Sequence, residues 1–346
     1  MRFILIFLCI ICTAQKNDIW YPFYNQDSTL IGYKDEKNVV KIEPKFVPNF
    51  ANRKFEHVMS VMEVTKNGWK DYFLTKTGNS FGIDSTYIFD YSFDCENEGF
   101  IRFQNKKKSE NTGLFDINGK VIIPAKYNTL SKVMNGQLVA LKNAKKKKDG
   151  EHFWWTDGEE ILIDTNDNVL IENFKNNYVL DIFSLKISNR PILDGIHENY
   201  LGKNGKYYSF INDEKAFKIW FETKFIKNTS KENLIANTHP YIDSFEYNEL
   251  IDNQKNIALN YSKIIKILNR LPTSEYSISK SYLDTSYLFD DKKFPAFEEY
   301  YDNCGQSKDW IYPLLSVTIH HKKGQDFLEF LKTKNGYKLV KFNTYE

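Results

Sequence analysis

Two stretches of this chain repeat one another at a fixed offset of 81 residues. Gly32-Tyr33-Lys34-Asp35 leads to Ile42-Glu43-Pro44-Lys45-Phe46, and Gly113-Leu114-Phe115-Asp116 leads to Ile123-Pro124-Ala125-Lys126-Tyr127. Midway between them, Tyr72-Phe73-Leu74-Thr75 runs on to Gly78 in the same way. A spacing of about 40 residues is the mark of one small supersecondary unit copied in series, where each copy buries its apolar face against the next. Such a period fixes architecture and says nothing about chemistry.

Within a unit the residues spell a hairpin. In Gly113-Leu114-Phe115-Asp116-Ile117, Asn118-Gly119 and Lys120-Val121-Ile122-Ile123, an Asn-Gly pair separates two apolar runs. That pair is a strong turn signal because both residues tolerate positive φ. Pro124 is expected to end the second strand, since it cannot donate to a ladder. The turns Glu98-Gly99 and Asn135-Gly136 then introduce the strands Phe100–Phe103 and Gln137–Leu141. A fourth, decayed copy follows in Ile161-Leu162-Ile163-Asp164 and Val169-Leu170-Ile171. Lys142 to Gly150 is inserted before it and reads as a surface loop.

These residues resemble the bacterial WG repeat, in which a Gly-aromatic strand start precedes an Asp-x-x-Gly-Lys turn and an Ile-Pro-x-Lys-Tyr close. The copies depart from it where the family's Trp is Ile31 and Thr112. The resemblance covers residues 20–190 and implies an all-β repeat array, a scaffold for binding or assembly without a characteristic catalytic site.

The texture changes after Asn204-Gly205. Phe217, Trp220, Phe221 and Phe225 line one helical face over 213–227, with Asn212 or Asp213 as cap. A short helix is expected near 230–236 and a longer one over 249–269, stopped by Pro272. Strands follow at 310–321 and 326–332, and Asn335-Gly336 turns the latter into 337–342. Helices followed by antiparallel strands make an α+β domain, here residues 210–346. Its order is similar to the cystatin-like, or NTF2-like, group, which hosts enzymes and binders alike.

Residues 1–15 read as a signal peptide: Arg2, an apolar run to Cys12, then Thr13-Ala14 at a cleavage site. The run is too short to span a bilayer. Leu8 and Ile11 precede Cys9 and Cys12, where lipid attachment needs a small residue. The expectation is therefore an exported protein, periplasmic, cell-surface or secreted, with no membrane span after signal removal. Of its remaining cysteines, Cys95 and Cys304, the expectation is two partly buried thiols rather than a bridge between the halves. A balance of 47 basic and 45 acidic residues excludes a dedicated nucleic-acid binder.

Candidate chemistry is thin. Asp164 to Asn168 starts like a calcium loop, but Val169 stands where the loop needs Gly, and a hairpin turn is the better reading. His320-His321 point to opposite faces of a strand. The runs Lys106–Lys108 and Lys145–Lys148 read as solvated loops. Trp154 and Trp155 could stack on a sugar, although core filling is the default for aromatics on such strands. His239, expected in a solvated loop, could line a pocket with Asp243 or Glu246 for acid–base work. No cofactor or metal is implied. The composite reading is an exported, non-enzymatic binding protein whose β-repeat scaffold carries a C-terminal module for a protein or glycan of the cell envelope. The alternative is a secreted enzyme, such as a hydrolase, with its cleft in the α+β domain.

Overall fold

One turn recurs along the chain. The computed structural model describes residues 18–48, 52–89, 92–107, 109–150, 152–175, 177–244, 249–283 and 297–345, so the expected signal peptide and Glu246 lie outside the described residues. At 35–39, 116–120 and 164–168 the leading Asp donates its N–H to the fifth residue's carbonyl and accepts from the fourth. Its Oδ1 also accepts two backbone N–H groups at 2.9 Å, those of Lys37 and Val39, Asn118 and Lys120, or Asn166 and Asn168. The fourth residue has positive φ, and Asn38, Gly119 and Asp167 are residue types that tolerate it. Asp164 thus closes a turn, as the sequence indicates, instead of opening a calcium loop.

The same backbone bonds close 75–79, 202–206 and 302–306. Thr75 replaces the carboxylate with a hydroxyl that accepts from Asn79. Asp302 restores it, accepting from Cys304 and Gln306.

Register repeats with the turns. Ile31, Tyr33 and Lys34 face Phe46, Ile42 and Val40, while Thr112, Leu114 and Phe115 face Tyr127, Ile123 and Val121. Both pairs slip at the same positions. The strand before each turn also meets it alike, with Trp20 opposite Asp35, Val58 opposite Thr75, Phe100 opposite Asp116 and Gln137 opposite Asp164. At Gly32 and Gly113 a Cβ would stand 2.2 Å from the Ile42 oxygen and 2.7 Å from the Ile123 oxygen. Close backbone approach, not φ, demands glycine there. Pro124 does not end its strand. Val121–Tyr127 runs through it, because this is an edge strand and the proline needs no donor.

Alternating side chains of one strand serve successive cores. Leu114 packs with Leu130, Leu138 and Ile163, while Phe115 packs with Val58, Phe73 and Ile101. Ile161 and Ile163 share the former core, and Leu162 turns to Phe174, Tyr208 and Phe210. The insert before Ile161 is not a loop. Lys145–Asp149 and His152–Thr156 pair as a two-stranded hairpin.

Beyond residue 212, helix α1 (Asp213–Trp220) is capped by the Asn212 side chain, which accepts from Lys215, and runs into a π-helical turn, Phe221–Phe225. Phe217, Phe221 and Phe225 are fully buried. Helix α2 (Lys231–Ala236) follows. The long helix, α3 (Asn253–Leu268), starts later than the sequence pattern suggests, because Asp252 caps it and Glu249–Asp252 pairs instead with Tyr241–Ser244. These helices pack with a four-stranded antiparallel sheet of Glu275–Ser281, Leu314–His321, Gly324–Thr333 and Gly336–Asn343. Residues 310–313, expected in the second strand, form a turn before it. The Asn335-Gly336 hairpin stands as read.

The two cysteines are bridged, contrary to the thiol expectation. Cys95 and Cys304, 209 residues apart in sequence, have Cα atoms at 5.9 Å. The turn at 302–306 is what delivers Cys304. It docks on the first half through Lys54 N–H to Asn303 O (3.1 Å), Asn303 Nδ2 to Glu56 (2.8 Å), and an ion pair of Asp302 with Lys132.

Candidate ligand cleft

The residues first suspected lie on separate elements. Trp154 and Trp155 sit on the inserted hairpin, away from any core cluster; Trp154 is 42% exposed and Trp155 half-buried, so neither fills a core. Lys146 lies 3.7 Å from the Phe153 ring centroid and pairs with Glu110, while Lys147 covers the Trp154 ring. The lysine run is therefore strand, not loop. His239 is buried rather than solvated: its N–H donates to Leu339 O at 2.8 Å, and its ring meets Tyr300 edge-on. Asp243 lies on Tyr241–Ser244, opposite Leu250. Lys106 and Lys107 pair with Asp71 and Asp84.

The structure forms a cleft elsewhere, about 630 Å³ in volume, where the strand-and-turn region meets the C-terminal part. That size suits a small organic ligand. Its floor is apolar, with Leu130, Met134, Val139, Leu180 and Ile182. Tyr87, Tyr178 and Trp310 stand around it. Tyr178 belongs to a short 3-10 turn, Asn177–Val179, and is 72% exposed at the lip.

Each cation lining the cleft is already matched. Arg102, on the strand Phe100–Gln104, bonds Asp94 through Nε at 3.0 Å and through Nη2, and gives Nη1 to the Leu130 carbonyl at 2.7 Å. Its guanidinium lies 4.4 Å from the Tyr87 ring centroid. Burial alone would raise the Asp94 pKa, but Arg102 outweighs it and holds the carboxyl below its usual range. Lys132 pairs with Asp302, bonds Gln306 at 3.0 Å and covers the Trp310 ring. Lys280 reaches Asp213 at 2.8 Å, and Asp213 also takes Lys332 (2.7 Å), which binds Asp181. Burial would lower Lys332, yet Asp213 and Asp181 keep its pKa raised.

Asp309 differs. Burial pushes its pKa up, against the pull of Lys280 and Lys132, whose own ion pairs are with Asp213 and Asp302. It is the one lining carboxylate, and it makes no ion pair among the described residues. Sequence reasoning missed it, along with Arg102, Lys132 and Lys280. One signal was available: arginine is scarce in this lysine-rich chain, and Arg102 interrupts an apolar strand. A planar bidentate partner for a buried carboxylate is what arginine provides there.

Two smaller cavities are present besides the cleft. One of 210 Å³ lies beside Tyr87 and Arg102, and one of 220 Å³ is lined by Glu56, Glu96, Glu98 and Asp302. Cys95, Asp302 and Cys304 cluster as metal ligands would, but the two sulfurs are bonded to each other and offer no thiolate. Among the described residues no helix is long and apolar enough to cross a membrane. No family model matches the chain, and no curated protein is significantly similar to it.

Proposed function

We propose that this chain is an exported, non-enzymatic binding protein and that the cleft lined by Asp309 is its ligand site. In this reading residues 1–15 are a signal peptide, 20–190 a WG-type array of hairpin units, and 210–346 an α+β domain of cystatin-like or NTF2-like order. The array reading draws on the recurring turn and the shared register of its strands. One observation carries the binding reading: a mostly apolar cleft whose lining cations are paired with carboxylates and whose one lining carboxylate, Asp309, makes no ion pair among the described residues. The hydrolase alternative draws nothing from this cleft, which His239 does not line. The test uses mature protein labelled with fluorotryptophan and titrated with fractionated cell-envelope extracts. The expected outcome is a fraction that shifts the Trp310 resonance in the wild type and shifts it less in Tyr178→Ala. Trp310 resonances unmoved by every fraction would sink the proposal.

A further inference from the structure

The charge arrangement of the cleft narrows its ligand. An anion would meet three cations already offset by Asp94, Asp302 and Asp213, and would be repelled by the Asp309 carboxylate that lines the same cleft. A cation would compete with Lys280 and Lys132, whose pull already acts on Asp309, and the Tyr87 and Trp310 faces that could hold it are covered by Arg102 and Lys132. A purely apolar ligand would seal the Asp309 carboxylate from water with only the backbone N–H groups of Asp309 and Trp310 as donors. A peptide strand would bring as many carbonyl acceptors as N–H donors, whereas the free group here is an acceptor. What remains is a neutral molecule rich in hydroxyl donors and bearing flat C–H faces.

We infer that the cleft binds a neutral saccharide, with ring hydroxyls donating to the Asp309 carboxylate and a C–H face lying on Tyr178. The inference rests on the binding reading given above and specifies its ligand class. Tyr178 suits the role because most of its ring is open to solvent at the lip while Leu180 and Ile182, just beyond it in the chain, form the floor. Since the site has no spare cation, affinity should depend little on salt.

The experiment titrates mature protein with neutral glucose, mannose and N-acetylglucosamine oligosaccharides, with oligouronates, with glucosamine oligomers and with a neutral tetrapeptide amide, following Trp310 fluorine shifts and calorimetry. Neutral sugars should bind best, with affinity changing less than about twofold between low and high salt. Asp309→Asn should weaken binding about tenfold or more. The Tyr178→Ala variant, altered at an exposed position that does not threaten folding, should weaken it about fivefold. Trp310 shifts produced best by uronates, amino sugars or the peptide would overturn the saccharide class while leaving the cleft a binding site. Neutral sugars that bind Asp309→Asn as well as wild type would also overturn it. If no probe and no extract fraction moves Trp310, the class and the binding reading fall together.

Discussion

The strand-and-turn region before residue 190 and the helix-covered sheet after residue 270 are both antiparallel, yet they are specified differently. In the first, each hairpin closes on its own: an Asp oxygen binds two N–H groups within four residues of itself, and alternate side chains feed separate small cores. In the second, one face of the sheet and three helical segments merge into a single large core. Phe330 alone has Phe217, Trp220, Phe221 and Phe225 rings within 6 Å. Local bonds make the first region modular, and shared burial makes the second cooperative.

Breaking the link between the regions should have the largest effect. The Cys95–Cys304 bridge closes a 209-residue separation, and its loss by Cys304→Ser should cost about 5 kcal/mol on chain-entropy grounds. Calorimetry should then resolve separate transitions for the two regions; one unchanged transition would mean that packing alone joins them. Next is Phe330→Ala, expected to cost about 3–5 kcal/mol. Hydrogen exchange should show protection lost throughout 213–343 and kept in 100–127. Smaller again is Asp116→Ala, at about 1–2 kcal/mol for two backbone bonds, with exchange quickened only around 112–123. Global loosening after that change would refute modularity.

The smallest expected effect is at Asp309, where the sign is informative. Burial raises its pKa in the folded protein, so the ionised carboxylate opposes folding above that value. Stability from this group rises as pH falls from its folded pKa towards its unfolded one. Asp309→Asn should therefore stabilise slightly at neutral pH and lose that advantage in acid. Urea midpoints measured across the acidic range would check it, and a destabilised Asn variant at neutral pH would contradict it.

Legibility followed the same divide. The turns at Asp35, Asp116 and Asp164 and the Asn335-Gly336 hairpin could be read directly, because donor and acceptor lie within a few residues. The start of α3 was misjudged because Leu250 fits both the helical stripe and a strand, and pairing with Asp243 chose the strand. The Asn204-Gly205 turn was read as well, while the turn at 302–306 escaped because its flanking segments do not carry the apolar motif. Trp154 was expected inside, but the inserted hairpin has no neighbouring sheet to bury it. The site residues were the least legible. Arg102, Lys132, Lys280 and Asp309 come from four separate segments, and nothing local marks them as neighbours.

The sequence by itself determined where many of the chain's turns fall, which side chains alternate inward, and where α1 is capped, since hydrogen bonds and steric limits over short spans decide those matters. Only the tertiary structure decided that Cys304 meets Cys95, that His239 is buried, and that three matched cations and one unmatched carboxylate surround a common cleft. Those outcomes depend on contacts between segments tens to hundreds of residues apart, whose geometry no local pattern encodes.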